Sequence, residues 1–303
     1  MAVRWLEAWQ ANHAAPIPHG AHGVSLHLRY RPPLSTRSGG ARAPRIPRLI
    51  FQTASNATRS WEQYGDWMRS WWELNPDHGY HLFNDDDAWD FVMRHCSRTE
   101  RAAYARSLVG AQRADLFRIY FLRELGGIYA DTDTQLRQPL AAAIPPRASA
   151  LLYPRMEFDF LMYEPQHPLL RHVADAITQG VHAAADRFQE SDKRQRHSGS
   201  CTGAHSCITS VTGPYAYRPA LHAAARMHGC KGPRLTERGC HSSPVEAMQR
   251  IQFCRDDGQW YCGIARHWDC RNSLKVRACG RHHYTYESHK TSFFNVTIGR
   301  ELR

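Results

Sequence analysis

The sequence of 303 residues has no long hydrophobic run and no surplus of acidic charge. No stretch approaches the roughly 18 apolar residues that a membrane-spanning helix requires, and residues 1–20 lack the continuous apolar segment of a signal peptide. The 39 Lys and Arg exceed the 28 Asp and Glu, and the resulting net charge of +11 favours anionic ligands. Because the basic residues are spread along the chain, we expect no nucleic-acid partner.

The cysteines also lack the pattern of a zinc site. None of the nine forms a C-x-x-C pair, which argues against structural zinc. Eight of them lie between Cys201 and Cys279, and this clustering predicts a disulfide-linked C-terminal part in an oxidising compartment. The glycosylation sequons at Asn56 and Asn295 are compatible with that location. We therefore expect the lumen of a secretory compartment.

The pattern of apolar residues predicts a folded domain that begins after a leader. Residues 1–44 contain Pro- and Gly-rich segments and no sustained period, which is typical of a linker. An apolar run predicts a first strand at Leu49–Phe51, and alternation predicts a second strand in "GYHLFND". The helix between them should end by Leu74–Asn75, because Pro76 disfavours helical geometry in the residue before it. The Asp85–Asp87 run offers N-cap residues for the next helix.

Further helices and strands are predicted downstream. An apolar stripe predicts one helix over residues 99–125, and Gly126–Gly127 supplies its C-terminal stop. "GIYAD" then predicts a short strand, residues 188–201 a surface loop, and "TSVTGPYAY" a strand and turn. Strands that alternate with helices predict an α/β fold with a mostly parallel central sheet. In such sheets, ligands bind beyond the carboxyl ends of the strands.

Two aspartates, Asp131 and Asp133, follow the "GIYA" strand with one residue between them. Carboxylates so close repel each other, and a divalent cation reverses the repulsion by serving as a shared counter-charge. Residues i and i+2 of a strand project to the same face, so both can reach one ion. Mg²⁺ or Mn²⁺ suits such oxygen ligands and leaves positions for phosphate oxygens. A pair of surface turn residues is the alternative.

A second charged pair, Asp115 and Arg118, lies three residues apart on the preceding helix. The apolar stripe through Phe117 and Phe121 occupies a different face, so the pair is available to the pocket into which the strand opens. The planar fork of Arg suits phosphate, and Asp accepts hydrogen bonds from ribose hydroxyls. A surface ion pair is the alternative.

The segment "RADLFRIYFLRELGGIYADTDTQLRQPL" resembles the core signature of glycosyltransferase family 32, the D-x-D sugar transferases that include initiation-type α-1,6-mannosyltransferases. The same spacing occurs in the glucosylating clostridial toxins. The matching positions are Arg113, Asp115, Arg118, Gly126, Gly127, Tyr129, Asp131 and Asp133. "IPRLIFQT", "WWELNPDHGYHLFNDD" and "VTGP" also resemble the family, although Phe51 stands where the family usually has His. The resemblance covers residues 45–215 well and the cysteine-rich residues 216–303 poorly.

The resemblance implies a GT-A domain over residues 45–303, with a Rossmann-like sheet that binds a nucleotide-diphosphate sugar and Mn²⁺ or Mg²⁺. By position, Asp115 would hold the ribose or base, Arg118 the diphosphate, and Asp133 the metal. Asp131 would touch the ribose, and the metal through water. The remaining donor-site positions are Phe51, Gln52 and Thr53, which would border the base, and Tyr129. A further metal ligand is expected near the C-terminus, where His283 is the candidate, His282, Ser288 and His289 lie nearby, and His267 is the rival.

The resemblance further implies a retaining transferase that moves a hexose or N-acetylhexosamine to a glycan, glycoprotein or glycolipid, with Asp131, Asp133 and Arg118 as catalytic residues. It points to the Golgi lumen, and membrane association through an anchor not recognised in this sequence stays open. Two alternatives also stay open. A haloacid-dehalogenase-type phosphatase places D-x-D after a strand, but its motif does not continue with a residue like Gln135. A non-catalytic, disulfide-linked basic glycan-binding module would explain the charge and the cysteines.

Overall fold

The computed structural model describes residues 44–55, 57–136, 139–142, 144, 149–151, 158–194, 204–227 and 275–277, together with Arg4. Apart from Arg4 and Pro44, the predicted leader over residues 1–44 falls outside these ranges. The disulfides predicted for Cys201–Cys279 and the C-terminal histidines also fall outside them, or on side chains within them that are not described. No helix in the described part of the chain is long and apolar enough to cross a membrane.

The described ranges contain strands and helices in alternation. The strands are β1 (Leu49–Thr53), β2 (Gly79–Phe83), β3 (Gly127–Ala130), β4 (Thr134–Leu136), β5 (Ala150–Leu151), β6 (Phe160–Tyr163) and β7 (Lys275–Arg277). The helices are α1 (Ala57–Glu73), α2 (Asp85–His95), α3 (Arg98–Arg106), α4 (Gly110–Leu125), α5 (Pro168–Arg194), α6 (Ala204–Val211) and α7 (Pro214–Met227). Within the same ranges, a 3₁₀ turn spans Leu140–Ala142.

The central sheet has the strand order β2-β1-β3-β6-β5. β1 pairs in parallel with both β2 and β3, whereas β6 runs antiparallel to β3 and to β5. Of these five strands, all except β6 therefore point the same way, and the predicted α/β fold with a mostly parallel central sheet is confirmed. β3 occupies the centre, so the residues after Ala130 lie in the middle of the edge at which parallel strands bind ligands.

The two faces of the sheet are buried against different helices. Alternation places Phe51 and Tyr129 in a core with α2, α4 and α5, whereas Ile50 and Ile128 belong to a second core with Trp71 of α1. Burial on both faces explains why β1, β2 and β3 are almost continuously buried.

Helix α1 ends where the sequence predicts, and its end is tied to the chain after β3. The Asn75 side chain donates to the Trp71 carbonyl at 2.7 Å and accepts from the Leu140 amide at 2.8 Å. The Trp71 indole donates to the Thr134 carbonyl at 2.8 Å. These bonds fix α1 against β4, which directly follows the two aspartates of the D-x-D motif.

Four local predictions were wrong. The N-cap of α2 is Asn84, which forms a reciprocal capping box with Asp87. The Asp85–Asp87 run therefore occupies the first turn, where its negative charges interact favourably with the helix dipole. The helix expected over residues 99–125 is two helices, because Ser107 is extended and its hydroxyl bonds the Ala103 carbonyl at 3.1 Å.

The other two errors concern the C-terminal helices. Of the loop expected over residues 188–201, the part up to Arg194 belongs to α5, and the remainder lies outside the described residues. The strand and turn expected in "TSVTGPYAY" are the end of α6 and the start of α7. Helix packing prevails over the strand propensity of the β-branched residues in this segment. Pro214 takes the first position of α7, and Gly213 permits the tight turn after α6, since a Cβ there would lie 2.9 Å from the Thr209 Cα.

Acidification is expected to destabilise the protein through His81 of β2. Its side chain is fully buried, and burial lowers its pKa from 6.5 to about 3, so the native state holds it neutral. Because the unfolded chain binds the proton more tightly, stability is lost as pH falls through the window from 6.5 to about 3. Between about pH 7.5 and about pH 5, this residue alone should lower the free energy of unfolding by about 2 kcal/mol.

Urea unfolding of the parent and of His81→Phe at the two pH values measures this effect. The ring stacks on Phe83 at 5.7 Å, so Phe keeps an aromatic ring at this position and removes the titration. The pH-dependent loss should be smaller in the variant by that amount. An equal loss in both proteins would contradict the role of His81.

Candidate active site

Arg118 is the centre of a buried polar cluster below the end of β3. Its guanidinium lies 3.1 Å from Asp115 Oδ1 and 3.3 Å from Asp131 Oδ1. The same group donates to the Phe158 carbonyl at 2.5 Å and to the Ala114 carbonyl at 3.2 Å. It lies over the rings of Tyr129 and Phe158, with its central carbon 4.3 and 4.9 Å from the ring centres. These contacts fix the charge in one position.

Helix α4 delivers this pair because it is buried on nearly all sides. The Asp115 and Arg118 side chains are each only 8% exposed, so the alternative of a surface ion pair is wrong. Their spacing of three residues places them on one side of the helix, facing the strand that Gly126 and Gly127 turn back along α4. The helix and the strand that form this part of the site are thus consecutive in the chain.

The D-x-D motif is a turn and not a strand end. The Asp131 carbonyl accepts from the Thr134 amide at 3.1 Å and from the Thr134 hydroxyl at 2.5 Å, which closes a turn over Asp131–Thr134. The prediction that both aspartates project from one face of an extended strand was therefore wrong. Asp133 is nonetheless buried, and the tight turn keeps the two residues together.

Asp131 is held from several sides. Its amide donates to the Asp159 carbonyl at 2.9 Å, and its Oδ1 accepts from the Tyr129 hydroxyl at 2.6 Å. Burial raises the pKa of Tyr129, so that hydroxyl stays protonated and remains a donor. Thr53 Oγ1 lies 3.3 Å from the same hydroxyl. The carboxylate is pre-oriented by its own strand and by β1.

The β1 residues predicted to border the base have other contacts in this structure. Gln52 is fully buried, donates to the Asp131 carbonyl at 2.9 Å and accepts from the Tyr80 hydroxyl at 2.5 Å. Phe51 is fully buried among the rings of α4, 4.3 Å from Phe121. Only Thr53 of the three is partly exposed. Gln52 therefore supports the D-x-D turn directly, and Phe51 belongs to the core.

Asp115 has the most unusual electrostatics of the cluster. Burial raises its pKa to about 7, against the opposing effects of the Arg118 charge and of a hydrogen bond from the Thr212 hydroxyl at 2.9 Å. The nearby Asp131 charge also raises it. The ionised form of this carboxyl depends on both of its donors.

Three contributors were not predicted as site residues. Phe158 and Asp159 precede β6, whose antiparallel register with β3 sets Asp159 opposite Asp131. Thr212 reaches Asp115 from the turn between α6 and α7. No local motif identifies the first two; the "VTGP" resemblance drew attention to the segment of Thr212 but not to this contact.

The residues present fit a divalent cation in their chemistry. Asp131 and Asp133 supply the hard oxygen ligands that Mn²⁺ and Mg²⁺ prefer. Within the ranges described, no group of three or more His, Cys, Asp and Glu could hold a metal ion by itself. Further ligands would have to come from phosphate, water or another part of the chain; the predicted His283 lies outside the described residues.

Comparison with known proteins agrees with this geometry. Residues 62–151 match the family model described as a glycosyltransferase sugar-binding region containing the DXD motif. No curated protein matches the chain. Among solved structures it is similar to a PaToxG glycosyltransferase at 14% identity, with 60% of this chain and 69% of the other covered and a TM-score of 0.40. That distant similarity adds nothing to the family match. The segment from α1 to β5 is therefore similar to the sugar-binding region of glycosyltransferases that contain the DXD motif.

Proposed function

We propose that the protein is a retaining, metal-assisted glycosyltransferase that moves a hexose or N-acetylhexosamine from a nucleotide-diphosphate sugar to a glycan, glycoprotein or glycolipid. The observation that carries the proposal is the D-x-D turn at the carboxyl end of β3, joined to Arg118 by the 3.3 Å contact with Asp131. Parallel strands bind nucleotides at that edge. The resemblance to family 32 supports retention of the donor's anomeric configuration.

The charge of the site supports a metal–diphosphate ligand. Two carboxylates, Asp115 and Asp131, contact one guanidinium, and Asp133 lies in the same turn as Asp131, so carboxylates outnumber the guanidinium here although the net charge of the chain is +11. A divalent cation would compensate this excess and would attract a diphosphate to a site that otherwise repels it. When bound to Asp131 and Asp133, Mn²⁺ or Mg²⁺ would supply positive charge for the departing diphosphate.

The side chains contribute position and charge. The Arg118 guanidinium is held by two carbonyls and two rings, so its charge needs no rearrangement as negative charge develops on the leaving group. The role proposed for Asp115, to hold the ribose or base, rests on the resemblance to family 32. No sequence feature assigns a nucleophile, so we propose that the departing phosphate oxygen takes the acceptor's proton. A Golgi-lumenal location accords with the family and stays a proposal.

The test is a donor-hydrolysis screen over nucleotide-diphosphate sugars with Mn²⁺, with EDTA as the metal control. We expect release of the nucleoside diphosphate from one donor class. The accepted nucleotide at a hundred times its Kd should stabilise the fold by about 2.7 kcal/mol in thermal unfolding. Hydrolysis of none of them, together with no thermal protection by any nucleotide, would refute the proposal.

The same preparation decides between the alternatives. Release of phosphate from simple monoesters would favour the phosphatase. Binding of glycans that is unaltered by Asp133→Asn, without turnover in the parent, would favour the binding module.

A further inference from the structure

Thr212 makes a contact that the proposed function does not use. The residue is fully buried at the turn between α6 and α7, and its Oγ1 lies 2.9 Å from Asp115 Oδ2 and 3.2 Å from the Ile208 carbonyl. A hydroxyl has one proton to donate. The carboxylate is the nearer acceptor and carries the charge, so it takes the bond. Thr212 is therefore a donor to Asp115.

From Asp115 the contacts continue to the D-x-D turn. The other carboxylate oxygen, Oδ1, lies 3.1 Å from the Arg118 guanidinium, which lies 3.3 Å from Asp131 Oδ1. Every member of this chain of contacts is buried or nearly so. In such surroundings, polar contacts are strong and an unmade one is costly. We therefore expect a change at Thr212 to alter the contact between Arg118 and the Asp131 carboxylate.

A second line of contacts starts from the same segment. The Tyr217 ring of α7 packs 4.9 Å from the Phe158 ring, and the Phe158 carbonyl accepts from Arg118. Tyr217 is itself fixed by a 2.5 Å hydrogen bond between its hydroxyl and that of Tyr163. Two independent contacts from Thr212–Tyr217 therefore converge on one guanidinium.

We infer that Thr212 is a positioning residue for the D-x-D turn, which it acts on through Asp115 and Arg118. The inference rests on the proposed function, because it assigns Thr212 to the cation site at Asp131 and Asp133. Thr212 lies outside the segment matched by the family model. The helical pair α6 and α7 thus supports the site in addition to packing on α5.

The consequence of losing the hydroxyl follows from charge. Asp115 would keep the ion pair with Arg118 and lose its second donor. Burial already disfavours the charged form of this carboxyl, so it would hold the guanidinium less firmly. Arg118 would then pair more closely with Asp131 and compete with a cation for that carboxylate.

The experiment compares Thr212→Val, which keeps the shape, with Thr212→Ser, which keeps the hydroxyl. The matched control is Thr178→Val, since Thr178 is a buried threonine whose hydroxyl lies 2.7 Å from that of Tyr120 on α4, away from Asp115. Mn²⁺ affinity is measured by calorimetry. The Asp131 carboxyl resonance is measured in metal-free protein with carbon-13-labelled aspartate, assigned by Asp131→Asn.

We expect Thr212→Val to weaken Mn²⁺ binding about tenfold and to move the Asp131 resonance. Thr212→Ser should restore both, and Thr178→Val should leave both unchanged. In an Arg118→Met background, Thr212→Val should have no further effect, because the connecting group is gone. If the valine variant folds poorly, Thr212→Ala replaces it with the same expectation.

An Asp131 resonance that Thr212→Val leaves in place would overturn the inference, as would an equal shift in Thr178→Val. That readout needs neither metal nor turnover. A parent that binds no Mn²⁺ and hydrolyses no donor would instead count against the proposed function, and the resonance would still decide the role of Thr212.

Discussion

Replacing Asp133 with Asn is expected to reduce nucleotide-sugar turnover about a thousandfold, a loss of about 4 kcal/mol of transition-state stabilisation. The substitution keeps the size of the side chain and removes the charge that a divalent cation requires. Asp131 alone, whose Oδ1 already accepts from Tyr129 and lies near Arg118, would hold the cation weakly. The departing diphosphate would then lack most of its counter-charge.

Stability should change in the opposite direction. Asp133 is 4% exposed and shares a four-residue turn with Asp131, so without a cation the two carboxylates repel. Asn removes this repulsion, and we expect the free energy of unfolding in EDTA to stay the same or to rise by up to about 1 kcal/mol. If the variant loses activity and keeps its stability, the loss comes from the missing carboxylate charge and not from unfolding.

Steady-state hydrolysis with saturating Mn²⁺ and urea unfolding in EDTA provide the two measurements. Asp90→Asn is the matched control, since Asp90 is a half-exposed aspartate on α2 whose partner is Arg94, one helical turn away. Its activity and stability should stay close to those of the parent, because exposed ion pairs contribute little. If Asp133→Asn retained parental turnover, the D-x-D turn would not be the metal site.

The elements around the site were predictable wherever a local signal is strong. The apolar run of β1, the Pro76 stop and the paired glycines after Leu125 each act on their own backbone, and the structure has all three where expected. The positions of Asp115, Arg118 and Asp131 were predictable for a similar reason. Asp115 and Arg118 lie three residues apart on α4, and Asp131 directly follows β3, the next element in the chain. Sequence spacing therefore predicted the part of the cluster that lies on adjacent elements.

The remainder depends on contacts between distant segments. Phe158 reaches Arg118 across 40 residues and Thr212 reaches Asp115 across 97, and neither has a local signal. The turn at the D-x-D depends on Gln52, 79 residues away from the carbonyl that it binds. Local propensity also failed where packing prevailed, as in the β-branched residues of α6. Non-local hydrogen bonds thus decided the orientation of groups whose identity the sequence already indicated.

The second large effect is expected at Gly127, where Ala should lower the free energy of unfolding by about 4 kcal/mol. Its φ of +107° is a conformation that residues with a Cβ rarely adopt. An added Cβ would also lie 2.6 Å from the Leu49 carbonyl oxygen, which is backbone and cannot rotate away. The variant must therefore separate β3 from β1 at the start of their pairing.

Urea unfolding measures the loss, and Gly180→Ala on α5 is its control. An added Cβ at Gly180 has its nearest heavy atom, the Val211 carbonyl oxygen, at 3.8 Å, which is an ordinary contact. Inside a helix this change should raise stability by about 0.5 to 1 kcal/mol. Two substitutions of the same chemistry should thus have effects of opposite sign. Similar effects at both positions would show that Gly127 needs neither its backbone conformation nor its closeness to β1.

The effect of Gly127→Ala on activity connects the backbone to the chemistry. β3 carries Tyr129 and ends at Asp131, and its register with β1 places Tyr129 beside Phe51, one residue before Gln52. If β3 moves from β1, the 2.9 Å bond from Gln52 to the Asp131 carbonyl lengthens and the D-x-D turn loses its support. Gly127→Ala should therefore lower both the stability of the protein and the turnover of its folded fraction. Asp133→Asn should lower the turnover alone. The paired glycines are required because a Cβ at Gly127 would meet the Leu49 carbonyl oxygen of β1 at 2.6 Å, and a Cβ at Gly126 would meet the Tyr163 carbonyl oxygen of β6 at 2.8 Å.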